Sequence, residues 1–138
     1  MTDPELIAKK LTLIETCVRE LETLARPADI ETDLLHERFV EHTLQIAIQA
    51  AIDAASHIVS DERLGEPRTN RELFDLLARA GAIPDHLAAR LRAMAGFRNI
   101  LVHGYQDVDR RIVRDAVEHR LGDLLEFSEA LRTWIAAR

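Results

Sequence analysis

One ten-residue stretch carries the residue types that could do chemistry: Gly96-Phe97-Arg98-Asn99-Ile100-Leu101-Val102-His103-Gly104-Tyr105. An arginine is permanently charged and can grip a phosphate through two parallel hydrogen bonds. A histidine near its ordinary pKa of about 6.5 can take or give a proton at neutral pH. Arg98 and His103 together are sufficient parts for metal-free RNA cleavage. In that reaction a 2′-hydroxyl is deprotonated and attacks the neighbouring phosphate, while arginine stabilises the charge that develops. A structural alternative stands beside this reading, with Arg98 as an ion-pair partner and His103 as a helix C-terminal residue that suits the dipole.

The spacing constrains both readings. Arg98 falls on a stripe otherwise made of Leu91, Met94 and Leu101. Burying an unpartnered guanidinium is expensive, so Arg98 must face a polar cleft, a carboxylate or an anionic ligand. His103 lies five residues on, about 140° round an ideal helix, so the two side chains do not naturally converge. Either Gly104 ends the helix at His103, or a wide turn draws the two towards one side. Asn99 is four before His103 and shares its face.

The elements that must position these residues read as helices. Hydrophobic residues make up 47% of the 138, aromatics only 4%, with five glycines and four prolines, a composition poor in turn and strand formers. The first segment runs from about Asp3 to Arg26, with Thr2 and Glu5 at capping-box spacing, Pro4 in the first turn and a stripe of Ile7, Leu11, Ile14, Val18 and Leu21. The second, roughly Glu31 to Ser60, has two stripes: Leu44, Ile48, Ala51, Ala55 and Ile58, and Leu35, Phe39, Ile46 and Ala50 continued by Asp53 and His57. A helix apolar on two sides is enclosed by neighbours, within the chain or across a subunit boundary. Thr69 and Glu72 form a second capping box before a short helix that Gly81 closes. A fourth begins near Pro84, and a fifth runs from about Asp109 to the C-terminus. Short connections between long amphipathic helices predict one all-α domain over residues 1–138, an up-and-down antiparallel bundle of about five helices.

Charge and composition narrow the function classes. The formal net charge is −6, which excludes an indiscriminate nucleic-acid binder held by bulk positive charge. Of 18 basic residues only Lys9 and Lys10 are lysines. Residues 90–114 hold six arginines (Arg90, Arg92, Arg98, Arg110, Arg111, Arg114) against Asp107 and Asp109, a local balance of +4 that leaves −10 for the rest. A basic region in an acidic body can attract a phosphate backbone locally, so Arg110, Arg111 and Arg114 are candidate RNA contacts, unless they form an ordinary solvated helix face. Asp107 and Asp109 are candidate caps for the helix beside them.

The remaining candidates are simpler. Asp53 and His57, four apart on one helix face, can touch, either supporting the cleft by holding Arg98 or His103 or forming a buried pair that fixes helix packing. His36 and His42 do not complete a compact metal-ligand spacing, so no metal and no cofactor are expected. Cys17, the lone cysteine, excludes an internal disulfide and reads as core; Trp134 reads as packing near the C-terminus. No apolar run approaches a membrane span of roughly 20 residues, and the start lacks signal-peptide features, so a cytoplasmic protein without membrane contact is expected.

At the motif the chain resembles a known family. Arg98-Asn99 followed by His103 resembles the Arg-polar-x3-His signature of HEPN domains. Its extension to Tyr105, Arg-x4-His-x-Tyr, resembles the HepT toxin branch. The long second helix with Gln49, Asp53 and His57, the short third helix, Gly96-Phe97 before Arg98, and the terminal amphipathic helix are similar to HepT in order and length. The resemblance implies a homodimer whose shared cleft is a metal-independent endoribonuclease, the toxin of a toxin–antitoxin system. Arg98 would then bind and polarise the phosphate, His103 would act as acid or base, and Asn99 would orient the phosphate or His103. It further implies an RNA substrate, tRNA at the family level, and an MntA-type nucleotidyltransferase antitoxin that adenylylates Tyr105. The alternative is a non-catalytic HEPN module that binds nucleotide or docks onto such a nucleotidyltransferase.

Overall fold

In the computed structural model, residues 2–103 and 108–138 are described, His103 in its backbone only. Among them lie six α-helices, α1 (Pro4–Leu24), α2 (Leu34–Asp61), α3 (Asn70–Arg79), α4 (Asp85–His103), α5 (Arg110–His119) and α6 (Leu121–Ala136), with a 3₁₀ turn at Pro27–Asp29 and no strand.

The helix starts follow local hydrogen-bonding chemistry, with one correction to the expected caps. Asp3, not Thr2, caps α1: its carboxylate accepts from the backbone N–H of Glu5 and Leu6, and Pro4 takes the first turn. Asp33 caps α2 through His36 N–H, so Glu31 and Thr32 stay outside the helix. At α3 the Thr69 hydroxyl accepts from Glu72 N–H as expected, while the Glu72 carboxylate reaches back to Arg68 N–H. Gly81, at φ +81°, closes α3 with its own N–H on the Ala78 carbonyl and that of Ala82 on Leu77. The end of α2 makes the same pattern through Arg63 at φ +53°.

The expected single C-terminal helix is two. Arg120, at φ −116°, interrupts it between α5 and α6. The break lets each half bury its own stripe. α5 sets Val113, Ala116 and Val117 against the 3₁₀ turn and α2, while α6 turns Leu121, Leu124, Phe127 and Leu131 towards α1, α2 and α4.

α2 is the central element, touching α1, α3, α4, α5 and α6. Its 28 residues span about 42 Å at 1.5 Å per residue. Ala47, Ala50, Ala51, Ala54 and Ala55 are all buried, small enough to let neighbours approach on several sides. α1 runs antiparallel to both its partners: Lys10 near its start meets Asp53 late in α2, and Glu15 meets Ser128 and Arg132 late in α6. The Arg132 guanidinium holds the Glu15 carboxyl below its usual value, assisted by Ser128. Cys17 is buried in this core, where desolvation pushes its thiol up, and Trp134 is half-buried with Arg138 over its ring.

The second stripe of α2 is only partly covered. Ala50 is buried, Phe39 and Ile46 are half-buried, and Leu35 is 83% exposed. Helical spacing puts Leu35, Phe39, His42, Ile46, Gln49 and Asp53 on this one face.

Candidate active site

Arg98 leaves α4 towards that face. Leu91, Met94 and Leu101, its stripe-mates, are buried, while Arg98 itself is half-buried. Its Nε donates to Oε1 of Gln49 at 2.8 Å, and one Nη donates to Oδ1 of Asn99 at 3.2 Å. Nε2 of Gln49 in turn donates to Oδ1 of Asp53 at 2.8 Å, and Lys10 Nζ stands 3.5 Å from the other Asp53 oxygen. Of the three environments the spacing allowed, Arg98 therefore meets a polar one made of neutral amides.

That distinguishes it from the other arginines of residues 90–114. Arg90 faces Asp123 at 3.4 Å, Arg92 faces Asp75 at 3.6 Å, and Arg110 faces Glu37 at 3.2 Å. Arg111 faces Asp109 at 3.2 Å, and Arg114 faces Glu118 at 2.7 Å and Glu31 at 3.4 Å. Among the described residues only Arg98 of the six lacks a carboxylate partner. The local surplus of +4 read along the sequence is thus largely balanced in space, chiefly by acids from other elements. The Asp109 carboxylate raises the Arg111 pKa above its usual value, and Glu118 followed by Glu31 does the same for Arg114. Asp109 also caps α5 through Arg111 N–H.

His103 is the last residue of α4, which is regular α-helix from Asp85 to that point. The wide turn that would have drawn Arg98 and His103 together is not used, so their backbone positions stay about 140° apart round the axis. The His103 side chain and residues 104–107, including Gly104, Tyr105 and Asp107, lie outside the described residues.

The anticipated Asp53–His57 pair is not formed among the described residues. Asp53 is engaged by Gln49 and Lys10, and His57 is exposed. Asp53 is linked to Arg98 only through Gln49. Of the histidines weighed as metal ligands, His36 uses its Nε2 to accept the Arg26 backbone N–H at 2.8 Å. Among the described residues no group of three or more His, Cys, Asp or Glu could hold a metal, and no helix is long and apolar enough to cross a membrane.

Two features went unread in the sequence. Gln49 had no assigned role, although it sits four before Asp53 on the same face. Glu37 and Glu41, one turn apart in α2, are both buried, at 7% and 8% exposure. Desolvation, then the hydrogen bond and charge of Glu37, push the Glu41 carboxyl up to about 7, against the opposing pull of Arg38 and Arg110. Acidic residues in an exposed-looking helical pattern gave no sign of this burial.

Comparison with known proteins defines the class. Residues 14–131 match the family described as "Ribonuclease HepT-like". The chain belongs to that family of HEPN proteins. It is 32% identical over 129 residues to an mRNA nuclease HepT of Shewanella oneidensis, covering 93% of this chain and 97% of that one. It is 34% identical over 124 residues to a tRNA nuclease HepT of Aphanizomenon flos-aquae, covering 86% and 82%. Among solved structures, a tri-AMPylated Shewanella oneidensis HEPN toxin in complex with its MNT antitoxin superposes with a TM-score of 0.86 at 32% identity, over 96% of this chain and 99% of that one.

Proposed function

We propose that this chain, a HepT-type endoribonuclease and the toxin of a toxin–antitoxin pair, cleaves RNA without a metal at a cleft built on Arg98, Asn99 and His103. One observation carries the assignment: Arg98 is oriented by amide oxygens that leave its charge uncancelled, as a phosphate-binding group requires. Arg98 grips the scissile phosphate and stabilises its added charge in the transition state. His103 takes the proton of the 2′-hydroxyl, whose oxygen then bonds to phosphorus as the bond to the departing 5′-oxygen breaks. A protonated imidazole, the other His103 in a dimer, returns a proton to that oxygen, giving a 2′,3′-cyclic phosphate and a 5′-hydroxyl. Asn99 steadies Arg98.

The divergence of positions 98 and 103 round α4 favours a cleft shared by two copies. The half-covered α2 face supports the same reading, because its apolar residues lead directly to Gln49 and Arg98. Arg110, Arg111 and Arg114 contribute secondary RNA contacts, in competition with their carboxylates. The partner is a nucleotidyltransferase of the MntA type that adenylylates Tyr105, adding bulk and negative charge beside the cleft. The antitoxin complex of the Shewanella toxin supports that reading.

The test is cleavage of RNA by the purified protein in the presence of a chelator. We expect cyclic or 3′-phosphate ends, loss of cleavage in Arg98→Ala and His103→Ala, and untouched DNA. Cleavage that persists in both variants refutes the assignment; tight partner binding without cleavage by the wild-type protein favours an adaptor instead. Co-expression with the nucleotidyltransferase should add adenylyl mass that disappears in Tyr105→Phe.

A further inference from the structure

We infer that Gln49 is a positioning residue for the cleavage reaction, its side-chain amide locked in one orientation by Asp53 so that it can only accept from Arg98. The inference rests on Arg98 as the phosphate-binding group and goes beyond it by saying what aims that group.

A guanidinium can only donate hydrogen bonds, and an ionised carboxylate can only accept them. A primary amide placed between the two has one satisfactory orientation, with its NH₂ on the carboxylate and its oxygen on the guanidinium. The distances agree: 2.8 Å from Arg98 Nε to Gln49 Oε1 and 2.8 Å from Gln49 Nε2 to Asp53 Oδ1. Lys10 Nζ stands 3.5 Å from the second Asp53 oxygen, so each carboxylate oxygen faces a donor. The chain Lys10–Asp53–Gln49–Arg98 thus crosses from α1 through α2 to α4, tying the aim of one side chain to three helices.

The chemical reason for an amide at this position is charge. A glutamate would hold Arg98 as firmly but would cancel the charge the phosphate needs. An apolar residue would leave Nε without a partner and the guanidinium held by Asn99 alone. With Nε and one Nη held from the side, the remaining N–H groups of Arg98 are left for the phosphate, and Nη2 has no partner among the described residues. The aim of the fork is therefore fixed before substrate arrives.

Steady-state RNA cleavage by purified variants tests this, with melting temperature measured for each. Gln49→Ala should lower kcat by about 10- to 100-fold with KM changed much less, as expected when a reacting group is misaimed rather than removed. Asp53→Asn, nearly identical in shape, lets the amide turn over and set NH₂ against Arg98 Nε–H; it should lower kcat several-fold with the melting temperature unchanged. Gln49→Glu should impair both kcat and KM by pairing with Arg98. The Arg98 Nε–H proton resonance, identified by its loss in Arg98→Ala, should move in Gln49→Ala and Asp53→Asn. Wild-type kcat in both of those variants, with Arg98→Ala inactive, overturns the role of Gln49 and leaves that of Arg98 standing. Wild-type cleavage by Arg98→Ala overturns the underlying assignment, and the role of Gln49 falls with it.

Discussion

Arg98 and Arg114 are the same side chain in opposite electrostatic settings. The donors of Arg98 meet two amide oxygens, those of Gln49 and Asn99. The donors of Arg114 meet the carboxylates of Glu118 and Glu31. An amide oxygen orients a guanidinium and leaves its charge intact, whereas a carboxylate orients it and neutralises it. The end of α4 therefore holds an arginine without a carboxylate partner among the described residues, and the start of α5 holds arginines that already have internal ones. Counting arginines along the chain treats the two regions alike; only the fold separates them.

The largest expected effect breaks the two regions apart directly. Arg98→Ala should reduce kcat/KM for RNA by on the order of 10²–10³, the usual loss when one group stabilising transition-state charge is removed. The double substitution Arg111→Ala with Arg114→Ala should reduce it by less than about tenfold, acting mainly on KM and its salt dependence. Arg110 is left in place because its removal would strand the buried Glu37 carboxylate. Equal losses in the two variants would erase the distinction.

How much of this was legible beforehand depends on distance along the chain. The stripe Ile7, Leu11, Ile14, Val18 and Leu21 was readable because a helix repeats every 3.6 residues, and all five are buried. The motif was readable because Arg98, Asn99, His103 and Tyr105 lie within eight positions. The break at Arg120 was not, because it arises from what α5 and α6 each pack against. Nor were the partners of the arginines. Glu31 and Glu37 lie over 70 residues before Arg114 and Arg110, and no spacing rule links them. Gln49 belongs to the same class, since its contact with Arg98 exists only once α2 lies beside α4.

The next effect in size concerns the acids on the neutralised side. Glu41 shares a buried setting with Glu37, the partner of Arg110, and titrates near 7 in the folded protein against an ordinary value of 4.5. Its folded value is raised, so the stabilisation it contributes is complete below about pH 4.5 and is lost as pH rises through 7. Across that window the native protein holds a proton that the unfolded chain has released. Between pH 5.5 and 8.5 the wild type should lose about 2 kcal/mol relative to Glu41→Gln, visible as a several-degree relative fall in melting temperature. Parallel pH profiles for the two proteins would mean that Glu41 is ionised when folded and that the buried acids are wholly offset by Arg38 and Arg110.

The smallest effect sharpens the comparison by converting one region towards the other. Glu118→Gln replaces the nearest carboxylate of Arg114 with an amide, giving it a neutral partner of the kind Arg98 already has. The lost ion pair is solvent-exposed, so the melting temperature should barely change. RNA affinity at low salt should rise a few-fold. The salt dependence should steepen by up to about 0.7 in log–log slope if one further phosphate is engaged. Glu31 remains within reach of Arg114 and caps the gain, so the combination with Glu31→Gln should give the fuller response. An unchanged salt slope in the double variant would mean that no phosphate passes this part of α5, which would withdraw Arg110, Arg111 and Arg114 from the RNA contacts and leave the end of α4 to bind the backbone alone.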